Sequence, residues 1–102
     1  MLYIAGGGMQ TISTQSTAVQ LSTTSKPCNM VVIQGVSSNT SMLVVANSTA
    51  QLSAASRVGI PVYWGSTSQP VTVFATDVSQ LYIDGISTEK VSYVYYKYGM
   101  AS

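Results

Sequence analysis

Three carboxylates, Asp77, Asp84 and Glu89, and a single cysteine, Cys28, are the side chains of this sequence that could do acid–base or covalent chemistry. Two carboxyls facing one another across a sugar could hydrolyse a glycosidic bond. These three lie close together in a strand-and-turn stretch and read more simply as turn and edge residues. The chain has no histidine, so the commonest general base and metal ligand is missing. Cys28 therefore lacks an activating imidazole and reads as a small buried hydrophobe. A calcium site using Asp77, Asp84 or Asn39 has no EF-hand spacing behind it. The run Gly6-Gly7-Gly8 matches neither a phosphate loop nor a dinucleotide fingerprint. The expectation is a noncatalytic protein with no cofactor and no metal.

The aromatic residues carry more information. The stretch KVSYVYYKY, residues 90–98, places Val91, Tyr93 and Tyr95 on one side of a strand and Val94, Tyr96 and Tyr98 on the other. Neither side suits water. Tyrosine is favoured where one end is dry and the other meets a polar neighbour, so one face is expected to line a core and the other an interface. The alternation leaves open which face does which. With Leu2, Tyr3 and Ile4 near the N-terminus, the candidate contact residues are Tyr93, Tyr95, Tyr96 and Tyr98. Tyr63 and Trp64, beside Ser, Asn and Gln, support an alternative in which a sugar stacks on them, as in a tail-fibre or receptor-binding module.

The elements that would position these residues are short strands. STAVQLST, CNMVVIQGV (28–36), MLVVA (42–46), RVGIPVYW (57–64), QPVTVFA (69–75), LYID (81–84) and residues 89–98 are separated by turn residues, as in an all-β sandwich or barrel. Segment 28–36 reads as a central or doubly buried strand that forms a hairpin with 42–46 across the polar loop 37–41. Segment 47–56 reads as loop, because it has no apolar face long enough for a stable helix. Asp84-Gly85 is a turn signal. The total is seven to eight strands in one β-sandwich domain, 15–102. Residues 1–14 are expected to form an extended arm, since three consecutive glycines sit poorly inside a helix or strand. Its apolar tip suits a neighbouring subunit.

Of the 102 residues, 46% are hydrophobic and 7% charged, against about 25% charged in ordinary soluble domains. Serine and threonine, about a quarter of the chain, supply the polarity instead. The net charge of +1 gives little colloidal repulsion and favours a packed assembly. Four scattered basic residues make no patch for nucleic acid. No apolar run is long enough to span a membrane, and MLYIAGGG lacks the basic start of a secretory signal. One cysteine cannot make an internal disulfide.

The order of the motifs PCNMVVIQG, SSNTS, MLVVANS, GIPVYWG, PVTVFA, DVSQLYIDG and KVSYVYYKY, over roughly 80 residues, resembles small β-sandwich structural proteins of tailed bacteriophages. The resemblance implies a jelly-roll fold and a noncatalytic virion protein on the particle exterior, made in the host cytoplasm. It also implies that the chain decorates or cements the capsid, as a homo-oligomer with trimers favoured, and contacts the major capsid protein. On that view the N-terminal arm anchors or links subunits. No functional motif of that group maps onto particular residues here.

Overall fold

Alternation along each strand decides which side chains meet. In the computed structural model, which describes residues 2–14, 17–36, 38–53, 57–64 and 69–99, the chain folds into eight strands. They are β1 (Leu2–Thr11), β2 (Val19–Gln20), β3 (Met30–Gly35), β4 (Leu43–Ala46), β5 (Ile60–Val62), β6 (Val71–Val73), β7 (Tyr82–Asp84) and β8 (Lys90–Tyr98). A 3-10 turn, Val78–Gln80, precedes β7. The strands form two antiparallel four-stranded sheets, sheet A in the order β1-β8-β3-β6 and sheet B in the order β2-β7-β4-β5. Each strand of the first half thus pairs with its mirror partner in the second: β1 with β8, β2 with β7, β3 with β6, β4 with β5.

The core lies between the sheets. Sheet A contributes Val31, Ile33, Val91 and Tyr93; sheet B contributes Leu43, Val45, Val62 and Ile83; Ile12, Leu21, Val78 and Leu81 close the ends. β3 is buried on one face only, its odd-numbered residues buried and its even-numbered ones turned outward, not on both faces. It is central in sheet A, as its apolar run suggested. The expected hairpin of β3 with 42–46 does not form. The polar loop carries the chain from sheet A to sheet B, so Leu43 and Val45 meet Ile33 across the core instead of beside it.

The N-terminal segment also differs from expectation. Residues 2–11 are an edge strand of sheet A, paired along β8 with one register shift between Ile4 and Gly6. The glycines are tolerated because aromatic rings cover them. A Cβ at Gly6 would fall 2.5 Å from Tyr95 Oη, and one at Gly8 would fall 2.7 Å from Tyr93 Oη. The two rings, 6.5 Å apart and inclined by 30°, lie over the bare backbone and supply the packing that glycine lacks. Lys26 packs on these rings, its ammonium 3.2 Å from Tyr93 Oη and within 6 Å of both ring centres.

Candidate assembly surface

The outward faces of the two sheets are built from the positions that alternate with the core. On sheet A, β8 turns Val91, Tyr93 and Tyr95 inward, and Val94, Tyr96 and Tyr98 point away from the core. The cross-strand register then assembles a row Ile4–Tyr96–Met30 over β1, β8 and β3. Phe74, 76% exposed, extends this row just beyond β6, where the β3–β6 register continues to the bridge between Pro27 and Asp77. The neighbouring row runs Gly7–Val94–Val32–Thr72, and Leu2 lies beside Tyr98 at one end. Ile4 is 63% exposed, Tyr98 65% and Met9 60%.

Toward the opposite end the face becomes polar, with Ser92, Gln34 and finally Lys90 beside Thr11. The four strands, ten, nine, six and three residues long, cover roughly 450 Å² in projection, and the apolar rows occupy the part of this face toward Tyr98. That is about half of the ~800 Å² that each partner contributes to an ordinary stable interface. Asn29 steadies it at the Tyr98 end: its N–H donates to Tyr96 O at 2.8 Å and its Oδ1 accepts from Tyr98 N–H at 2.9 Å.

The seven candidate contact residues therefore separate. Leu2, Ile4, Tyr96 and Tyr98 share the outer face, while Tyr93 and Tyr95 pack against the core and Tyr3 lies opposite Lys97 on the inner side. Reading the N-terminus as an arm hid Met9 from the sequence argument. Met30, Val32 and Phe74 were hidden too, although the alternation of Val71 and Val73 with Thr72 and Phe74 carried the signal. Tyr63 follows β5 with its side chain exposed, and Trp64 is half-buried beside it; the loop 65–68 beyond them lies outside the described residues.

The chemistry-bearing side chains are engaged in holding loops. Asp77 accepts hydrogen bonds from Ser25 Oγ at 2.5 Å, Lys26 N–H at 2.9 Å and Ser79 N–H at 2.9 Å, and so caps the 3-10 turn. These donors, the Ser25 hydroxyl foremost, hold its carboxyl well below the usual carboxylate range. Asp84, fully buried at the end of β7, accepts from Leu52 N–H at 2.8 Å through Oδ2, and Oδ1 has no partner. Glu89, also buried, accepts from the Thr40 N–H at 2.8 Å and the Thr40 hydroxyl at 2.9 Å. Two of the three acids, at the ends of the turn between β7 and β8, are thus buried loop anchors. Burial, reinforced by the Asp77 charge, pushes the Cys28 thiol up, and its Sγ contacts Ala75 O at 3.3 Å. Among the described residues no group of three His, Cys, Asp or Glu side chains is placed to hold a metal, and no helix is long and apolar enough to cross a membrane.

Comparison with protein-family models, curated proteins and solved structures finds no match to this chain. The likeness to phage structural proteins rests on the order of the sequence motifs alone.

Proposed function

We propose that this protein is a noncatalytic assembly subunit, of the kind that decorates or cements the capsid of a tailed phage. One observation carries the reading: toward Tyr98 the outer face of sheet A is apolar and open, with Ile4, Tyr96, Met30 and Phe74 in one row and Tyr98 beside Leu2 next to it. The low charge of the chain supports it, since neutral surfaces pack closely at little electrostatic cost. The strand order adds support. Pairing of first with eighth, second with seventh, third with sixth and fourth with fifth favours a jelly roll, an architecture shared by viral capsid and lectin domains. Fold alone assigns no function; the open face is what favours a shell over a soluble ligand.

On this reading the mechanism is mechanical. Tyr96, Tyr98, Ile4 and Phe74 lose water against the shell, adding contacts that must break before capsid subunits separate. The test is co-sedimentation of the purified chain with capsids that lack it, together with its Tyr98→Ser and Phe74→Ser variants. Binding by the parent and loss of binding by both variants, with melting temperatures unchanged, is the expected result. A parent chain that leaves shells untouched overturns the proposal.

A further inference from the structure

Four strand edges bound the two sheets, and three of them are blunted. β2 is two residues long, β5 is three with Pro61 at its centre, and β6 is three and preceded by Pro70. Short length and proline are ordinary means of keeping an edge from pairing with another chain. β1 is ten residues long and contains neither proline nor a charged side chain. β8 pairs with one side of it, and among the described residues no strand pairs with the other side, the outer edge of sheet A. Its one protecting feature is the irregularity at Ala5, which leaves Gly6–Thr11 in regular register.

We infer that this edge pairs with the same edge of a second copy, antiparallel about a two-fold axis through Gly8. The side chains select that register. Gly7 and Met9 both face outward, lying opposite Val94 and Ser92 on β8. With Gly8 opposite the partner's Gly8, Met9 falls opposite the partner's Gly7, so each exposed thioether settles on backbone that carries no side chain. The two-fold axis makes the fit reciprocal. Slipping by two residues toward the bulge sets Met9 against the partner's Ala5, where the ladder is irregular. Slipping the other way stacks the two methionines on each other and sets each Gly7 against the partner's Thr11, so neither thioether meets bare backbone.

A second copy suits this edge better than an unrelated strand because its fit is already present in the sequence, and a net charge of +1 opposes self-approach only weakly. The product is a continuous eight-stranded sheet whose apolar outer faces run side by side. The contact is about 20 Å long and one strand wide, below the ~800 Å² per partner of a stable interface. Dimerisation therefore follows concentration. This inference rests on the chain being an assembly subunit but uses the edge of sheet A, not its outer face, so the two readings can fail separately.

The experiment is light scattering of the full chain over a concentration series, with amide exchange of β1 followed by mass spectrometry. The expected mass rises toward twice that of the chain, and amides within Gly6–Thr11 gain protection in step with it. Met9→Lys, which places a charge on the edge, should weaken dimerisation at least about tenfold with no change in melting temperature; should it melt early, Met9→Gln serves in its place. A single-chain mass at every concentration overturns the inference. So does a dimer that the Met9 variants leave intact, or one whose β1 exchange ignores concentration. A dimeric chain that ignores shells refutes the capsid reading alone, and a monomeric chain that binds them refutes the dimer alone.

Discussion

The outer faces of sheets A and B begin from similar material and end differently. Val44 and Asp84 point away from the core on sheet B, as Val32 and Val94 do on sheet A, yet Val44 and Asp84 are wholly buried. The segment after β4 returns over them. Leu52 N–H reaches Asp84, Ala50 is buried, and Gln51 and Val58 form a bridge that closes the excursion. Gly59, at φ +139°, passes so near Val44 that a Cβ there would fall 2.9 Å from the valine Cβ. Over Val44 and Asp84 sheet B thus completes its outer layer with its own chain, while Ala46 and Tyr82 beside them stay half-exposed. Sheet A lacks such a strap among the described residues, and its valines and tyrosines stay half-exposed. A face that the chain covers is a matter of folding; a face it leaves open and apolar is available for assembly.

Substitutions at matched positions test that contrast. The largest expected effect is Val44→Asp, which buries an unpaired charge beneath the strap and should cost more than about 4 kcal/mol, seen as loss of the cooperative melting transition. Val32→Asp at the corresponding outward position of sheet A should leave a folded chain; comparable unfolding of both would erase the distinction. Tyr95→Ser, on the core side of β8, should cost about 3 kcal/mol in chemical denaturation, whereas Tyr96→Ser, one residue on, should cost under about 1 kcal/mol and reduce shell binding. Asp84→Ala strands the Leu52 N–H and should cost about 1–3 kcal/mol, with faster amide exchange confined to the strap. A uniform rise in exchange would mean that Asp84 supports the whole sheet.

The smallest effect concerns Asp77, which lies at an end of the sandwich and serves as a control for both faces. Its folded carboxyl titrates below its unfolded value of about 3.9. Its contribution is therefore present above that value and is lost as pH falls toward the lower folded one. Asp77→Asn should flatten the acid limb of the stability curve below about pH 4 and leave shell binding at neutral pH unchanged. An acid limb identical to that of the parent would show that other groups set it.

Much of the sandwich was legible because apolar alternation is written locally. β6 and β8 follow from period two and β3 from its apolar run, while the alternation of β8 left open which side lines the core, the side of Val91, Tyr93 and Tyr95. What escaped depends on distant residues. β1 looked like an arm because glycine is a poor strand former in isolation, and the rings that rescue Gly6 and Gly8 are supplied by Tyr95 and Tyr93 at the far end of the sequence. The supposed hairpin of β3 and β4 failed for a related reason: a five-residue polar loop can turn back within one sheet or cross to another, and composition does not distinguish them. Asp84 read as a turn residue because its partner, Leu52, is far away in sequence.

The pairing of β1 with β8 also sets an order of events during synthesis. The strand made first must wait for the strand made last, so sheet A cannot close at its β1 edge until all eight strands have been translated. Among the described strands, only β4 and β5 are consecutive and pair directly, and the remaining ladders close longer stretches of chain, a topology that folds slowly. Throughout that interval Leu2, Ile4 and Met9 belong to an uncharged, unpaired segment, the kind of nascent sequence that chaperones bind and that aggregates when they do not.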